Sequence, residues 1–319
     1  MLSILIPSRN ELFLPETVEE LLKKAKGEIE IIVHLDGYWP DPPLKDDPRV
    51  RIIHRGKPHG MRPGINAAAA IAKGKYVMKI DAHCMVDEGF DLKLAADCDD
   101  DWVVMPRRKR LDAENWAIQD VGKPDIDYMY LSYPDDPGDW GGPGLHGRLW
   151  NEKNKDPELK KVLIDDAMSG QGSSWFMPRD YFNYLELMDT ENYGGFWKEM
   201  QEIGLKCWLS GGRMIRNKKT WYAHLHKGKK YGRGYRLNSK VMIKATSYIN
   251  RWLIERAWHK QTKDFEWLID HFWPVPGWPE DWKEQDIWQV KMKAEKERDR
   301  IKKGLKPTNE IDYEGDGAE

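Results

Sequence analysis

The sequence predicts an α/β fold: a mostly parallel, Rossmann-like sheet with helices on both faces, followed by a helical C-terminal appendage. Three observations predict it. Short apolar runs alternate with stretches of helical spacing, the fourth such run leads straight into an aspartate, and beyond residue 240 the pattern turns helical with repeated tryptophans.

The run LSILIP is a strand ending at Pro7, and Pro15 to Lys26 carries Val18, Leu21, Leu22 and Ala25 at the spacing of an amphipathic helix. Ile29 to Leu35 is a second buried strand, closed by Asp36 and Gly37. Val50 to His54 is a third, followed by a loop around Gly60 and an alanine-rich helix over Gly64 to Ala72. The fourth strand, Tyr76 to Ile80, places Asp81 at the carboxyl end of a parallel strand, where open α/β sheets bind ligands. Residues 120–160 are rich in Gly, Pro, Asp and Trp with weak periodicity, which predicts a long loop, a lid over the site. An ordered block over 168–226 follows. The expected division is a catalytic domain over 1–236 and a helical extension over 237–319, with a frayed charged tail from about residue 289.

With 319 residues, 40% of them apolar, the chain can bury a large core. Cys84, Cys98 and Cys207 form no CxxC pair, which fits a reducing compartment and argues against structural zinc. No stretch reaches the roughly 20 apolar residues that span a bilayer, so the expected location is the cytoplasm, that of a host cell if the gene is of phage origin. The net charge of −2 hides an asymmetry: residues 213–260 carry 14 Lys/Arg against Glu255 alone, so this stretch is +13 and the remainder −15. Such segregation points to a polyanionic ligand or to a basic face that receives a nucleotide's phosphates.

In KIDAHC, Asp81 and His83 are two apart at a strand end, where alternate side chains lean the same way and can grip one ion. A carboxylate with an imidazole suits Mn²⁺ or Mg²⁺ better than a structural zinc. A divalent ion bridging two phosphates would stabilise the charge that develops as a sugar leaves a nucleoside diphosphate. A third ligand is offered by TWYAHLHKGKKYGRGY, where one of His224 and His226 is expected to reach the ion. Lys227, Lys229, Lys230 and Arg233 beside them are candidate phosphate contacts.

These residues carry a family resemblance. DAHCMVDEGF resembles DSHCECNEGW, and FWKEMQEIGLKCWLSGGRM resembles WGGENLEISFRVWQCGGRL, both from the catalytic domain of the polypeptide N-acetylgalactosaminyltransferases, within the GT-A superfamily that includes the family-2 glycosyltransferases. The resemblance implies a GT-A fold, a UDP-sugar donor and Mn²⁺ held by Asp81, His83 and His224, the last falling on the histidine of the family's GHVFR. It places Glu199 and Glu202 on the family's two glutamates, as residues that bind the sugar or acceptor or serve as a base. ILIPSRNE and IIVHLDG resemble the strands that line the nucleotide pocket, implying Pro7, Arg9, Glu11 and Asp36 there. GMRPGIN matches the helix that carries the family's arginine, which implies a phosphate contact for Arg62, although the alignment there is loose. The similarity covers about residues 1–236. The family's membrane anchor and lectin domain have no counterpart, WKEM stands where the family has GGEN, and 120–167 is this chain's own.

The implied reaction is transfer with retention, in which no dedicated base is essential; a glutamate acting as general base would give inversion instead. Three acceptors compete: a hydroxymethylated pyrimidine in DNA, a Ser or Thr hydroxyl of a protein, and a cell-surface glycan. DNA ranks first, because phage glycosyltransferases perform that reaction and the basic segment 213–260 interleaves Trp221, Tyr222, Tyr231, Tyr235, Tyr248 and Trp252 with its cations. A sugar- or nucleic-acid-binding module without turnover is the non-enzymatic alternative.

Overall fold

The computed structural model describes residues 1–138, 142–233, 235, 237–253 and 256–285. The expected tail from residue 289 lies outside them, as does the side chain of Lys229.

The strands in chain order are β1 (Leu2–Ser8), β2 (Ile29–Asp36), β3 (Val50–Arg55), β4 (Tyr76–Ile80), β5 (Cys84–Val86), β6 (Trp102–Asp112), β7 (Ala117–Ile118), β8 (Met129–Leu131), β9 (Gly147–Leu149), β10 (Ile164–Asp166), β11 (Ser174–Pro178) and β12 (Arg213–His224). The helices are α1 (Leu14–Lys24), α2 (Met61–Ala70), α3 (Phe90–Ala96), α4 (Asn151–Lys155), α5 (Arg179–Tyr184), α6 (Thr190–Tyr193), α7 (Glu199–Leu209), α8 (Gly228–Tyr231), α9 (Ser239–Ile249) and α10 (Phe265–Phe272). The main sheet runs β10-β12-β6-β11-β4-β1-β2-β3. Its β3-β2-β1-β4 half is parallel, β11 is antiparallel to both its neighbours, and β6 and β12 run parallel to each other. This is the expected α/β class.

Period-two alternation along the central strands feeds two cores. Ile4 and Ile6 of β1 pack with Leu14, Val18 and Leu21 of α1 and Phe90 of α3 on one face. Leu5 and Ile32 pack on the other with Ile65 and Ala68 of α2 and the apolar side of α7. The later helices join this second core: Ala245, Ile249, Trp252, Phe265 and Leu268 belong to the same buried cluster as Leu5 and Ile32, and Trp208 of α7 meets Phe272 of α10 edge-on at 5.3 Å. Among the described residues no helix is long and apolar enough to cross a membrane.

One expectation needs correction. The described part of residues 120–160 is not a loose lid, because Tyr128, Met129, Leu131, Leu145 and Trp150 are buried and β8 pairs with β9. Asn154 seals this segment, accepting from the backbone N–H groups of Asp127 and Tyr128 and donating to the Tyr128 carbonyl. Its apolar side chains are spaced too widely in the chain to show a period, yet Tyr128, Leu131, Leu145 and Trp150 join one buried cluster.

Candidate metal centre

Strand pairing brings the three expected ligands together. Asp81 follows the last residue of β4, its N–H held by the Ser173 carbonyl at 2.9 Å. β5 then pairs antiparallel with the end of β12 in a register that sets His224 opposite Cys84, and the Leu225 N–H donates to the His83 carbonyl. This pairing sets His224 at the end of β12 beside His83, while His226, two residues beyond the strand's end, is exposed.

The ligand atoms of Asp81, His83 and His224 lie within 4.8 Å of one another. Nε2 of His83 and Nε2 of His224 are 3.0 Å apart, and Asp81 Oδ2 is 3.2 Å from the latter and 3.9 Å from the former. A carboxylate and two imidazoles converging in this way could hold a divalent ion such as Mn²⁺, provided each ring turns a lone pair toward it. The outer contacts differ between the two rings. His83 Nδ1 meets Glu11 Oε2 at 3.0 Å, while His224 Nδ1 meets Arg108 Nη2 at 3.1 Å.

Charge around the site is strongly coupled. Lys79, 1% exposed, donates to Asp81 Oδ1 at 2.6 Å and to the Gly172 carbonyl, with Glu199 at 3.5 Å. Burial alone would raise the Asp81 carboxyl, but Lys79 and the two imidazoles hold it far below the usual carboxylate range. Burial would lower Lys79, and Asp81 with Glu199 hold it raised instead. Burial pushes His224 down to about 3, with His83 and Arg108 adding to the effect and Asp81 opposing it. Burial raises Glu199, and the Lys79 ammonium and the Trp175 indole offset that only in part.

The other expected residues sort by what they touch. Arg9 lies 4.0 Å from Asp36 and covers the Tyr235 ring at 4.4 Å, at the carboxyl ends of β1 and β2, with half-buried Pro7 beside it. Glu11 lies beside the metal centre, joining His83 to Lys227, whose Nζ is 2.6 Å from Oε2. Asp36 is buried, and its two oxygens accept the N–H groups of His59 at 2.7 Å and Gly60 at 2.9 Å; it shapes the pocket wall instead of presenting a free carboxylate.

Arg62 and Glu202 correct the expectation for both. Each side chain is 0% exposed and they pair with one another. Arg62 also donates to the Trp197 carbonyl, and Glu202 also accepts from Lys206 at 2.7 Å. With neither side chain reached by solvent, each is the other's counter-ion inside the core. Glu199, by contrast, stays next to the centre, accepting from Trp175 Nε1 at 2.7 Å and packing so close to Gly172 that an added Cβ there would meet its Oε2 at 2.4 Å. Lys230 turns outward to Glu114, with 62% of its side chain exposed, and does not join the phosphate-facing group.

Sequence reasoning missed Lys79 and Arg108. Each occupies an alternate strand position, in YVMKI and in PRRKR, where a basic residue reads as solvent-facing.

A model of glycosyl transferase family 2 matches residues 3–185, which is more than half of the chain. The chain belongs to glycosyl transferase family 2. It is 32% identical over 95 residues to the glycosyltransferase GlyG of Streptococcus pneumoniae, a stretch covering 28% of this chain and 32% of that protein. It is 22% identical over 327 residues to mouse polypeptide N-acetylgalactosaminyltransferase 12, covering 88% of this chain and 53% of that one. The chain thus spans about a third to a half of the curated relatives it matches. Among solved structures, GalNAc-T7 with UDP, GalNAc and Mn²⁺ superposes with a TM-score of 0.65 at 16% identity, covering 85% of this chain and 56% of that chain. Residues 1–349 of S. aureus TarS in complex with UDP-GlcNAc superpose at 0.51 and 12% identity, covering 80% and 67%. At these identities the structural likenesses establish the shared fold of this family-2 protein.

Proposed function

We propose that this family-2 protein transfers a sugar from a UDP-sugar to a hydroxyl acceptor in a reaction that needs Mn²⁺ or Mg²⁺. The observation that carries the reading is the convergence of Asp81, His83 and His224 at the carboxyl ends of β4 and β12. The bound ion supplies positive charge to the diphosphate as it departs. Arg9 and Pro7 line the nucleotide side, Lys227 reinforces the ligand set through Glu11, and Glu199 is the glutamate in position to meet the donor sugar. Transfer with retention, in which no dedicated base is essential, is the stereochemistry proposed; Glu202, sealed inside an ion-pair network, offers no base, and Glu199 is assigned to the sugar.

The charge argument for a DNA acceptor weakens in the structure. Within the basic segment, Arg213 pairs with Asp166, Lys219 with Asp97, Lys227 with Glu11, Lys230 with Glu114 and Lys260 with Glu186. Tyr222 and Trp252 are buried and cannot stack on bases. Among the described residues at least five of the segment's 14 cations are therefore paired with the protein's own acids. Hydroxymethylpyrimidine DNA remains one acceptor to assay, beside Ser/Thr peptides and glycans.

The test is mass-spectrometric: Mn²⁺, a panel of UDP-sugars and the three acceptor classes, with anomeric configuration of any product read by NMR. Sugar addition that EDTA abolishes supports the reading. Absence of both transfer and UDP-sugar hydrolysis across the panel overturns it.

A further inference from the structure

Arg108, on β6, is 5% exposed and its Nε is buried without a hydrogen-bond partner. Its Nη2 meets Nδ1 of His224, and among the described residues it has no carboxylate partner. Other guanidinium groups here are satisfied: buried Arg62 by Glu202, half-buried Arg107 by Asp127 at 2.7 Å, and buried Arg216 by the carbonyls of Asp127 at 2.8 Å and Pro106 at 2.5 Å. A guanidinium withdrawn from water with an unpaired Nε–H and neither a carboxylate nor a carbonyl to take it carries a desolvation cost, which an anion arriving from outside would relieve.

The contact with His224 shows when that anion arrives. A guanidinium donates and never accepts. His224 Nδ1 must then accept from Arg108, which leaves the ring proton on Nε2, 3.2 Å from Asp81 Oδ2 and well placed to donate to it. Ligation of a metal through Nε2 requires the lone pair there and the proton on Nδ1, facing a second donor. The Arg108 contact and ligation by His224 exclude each other. His83 has no such conflict, because Glu11 accepts its Nδ1 proton and leaves Nε2 free.

We propose that Arg108 is a further donor-binding residue with a switching contact: it restrains His224 through Nδ1, and exchanges that contact for a nucleoside diphosphate when metal and nucleotide bind. It rests on the metal and UDP-sugar reading above. Because coupling between two ligands is reciprocal, UDP should raise Mn²⁺ affinity by the same factor by which Mn²⁺ raises UDP affinity, and Arg108 contributes part of that factor.

The experiment measures Mn²⁺ binding by electron paramagnetic resonance of the free ion, with and without UDP, for wild type, Arg108→Met and Arg108→Lys, with thermal melts as the folding control. Losing a charge-assisted contact to phosphate should shrink the UDP–Mn²⁺ coupling in Arg108→Met by about tenfold, while Mn²⁺ alone binds several-fold more tightly than to wild type. Should Arg108→Met not fold, Arg108→Lys carries the test: it keeps a donor on His224 but loses the planar fork, so UDP affinity falls while affinity for Mn²⁺ alone stays as in wild type. Variants that match wild type in both measurements overturn the role of Arg108 alone. Wild type that binds neither Mn²⁺ nor UDP overturns the underlying function instead.

Discussion

Glu11 Oε2 stands 3.0 Å from Nδ1 of His83, and so fixes the imidazole with its other nitrogen turned toward Asp81 and His224. Burial opposes the charge on Glu11, but His83 and Lys227 hold its carboxyl below the ordinary value, so it is an anion wherever the protein functions. A carboxylate behind a metal-binding histidine orients the ring and strengthens it as a ligand. Glu11→Gln should weaken Mn²⁺ binding by about 10–100-fold while leaving the melting temperature near wild type. Titration calorimetry reads this directly, and unchanged affinity would remove Glu11 from the ligand system.

Asp81 has two jobs that one substitution confounds. It is a metal ligand and also the close counter-ion of Lys79, which is 1% exposed and has Glu199 only at 3.5 Å as an alternative. Asp81→Ala should abolish metal binding and cost on the order of 3 kcal/mol of stability by stranding a buried ammonium. Adding Lys79→Met should return most of that stability without restoring the metal site. Urea denaturation and Mn²⁺ binding on the single and double variants separate the roles; a double variant no more stable than Asp81→Ala would contradict the pairing.

The parts of this fold legible in the sequence are those with local signals. β1 to β4 and the intervening helices follow from apolar period and length, and Asp81 and His83 from their spacing at a strand end, with His224 chosen by a gapless resemblance. What escaped depends on contacts remote in sequence. Arg62 and Glu202 each looked like a site residue, and only the folded chain shows that they neutralise one another across 140 positions. Lys79 and Arg108 escaped for the opposite reason, since nothing in a strand pattern marks which basic residue has been turned inward. The net charge of 213–260 was real, but its partners Asp97, Glu114, Asp166 and Glu186 lie in other segments.

His146 is a source of acid sensitivity away from the metal centre. Burial, and then the Lys198 ammonium 2.9 Å from Nδ1, hold its protonation well below the ordinary value of 6.5. As pH falls below 6.5 the unfolded chain takes up this proton before the native one does, so the stabilisation is complete above that pH and declines as pH drops toward the native value. The slope from this one group is at most about 1.4 kcal/mol per pH unit. Urea midpoints between about pH 7.5 and 5 should fall less steeply for His146→Gln than for wild type. Equal slopes would mean that the buried ring is protonated in the native protein.

Gly60 and Gly195 meet backbone to backbone. Gly60 has φ +106°, and a Cβ on it would lie 2.5 Å from the Gly195 carbonyl oxygen. Gly60→Ala should therefore cost on the order of 3 kcal/mol, from the left-handed backbone and the clash together. Because the Gly60 N–H is held by Asp36, which in turn faces Arg9, the shift should weaken UDP binding. Mn²⁺ binding without nucleotide should stay as in wild type, since its ligands sit on β4, β5 and β12. Loss of both together would instead indicate global unfolding, which a thermal melt distinguishes.

Lys227 and Lys230 are three residues apart, yet the structure gives them different roles. Lys227 reaches inward to Glu11, whose side chain is 9% exposed, and so belongs to the chain of contacts that ends on His83. Lys230 reaches outward to Glu114 across solvent, where salt screens the pair. Lys227→Ala should then lower Mn²⁺ affinity and UDP affinity together, because Glu11 loses the cation that helps keep it charged and in place. Lys230→Ala should leave both at wild-type values. The same two variants bear on the acceptor: a DNA-binding surface spread over the basic segment would make each substitution reduce the salt dependence of DNA binding by a similar amount. A donor site confined to the cleft makes only Lys227 matter, and the measurement is Mn²⁺ and UDP affinity beside DNA affinity over a salt series.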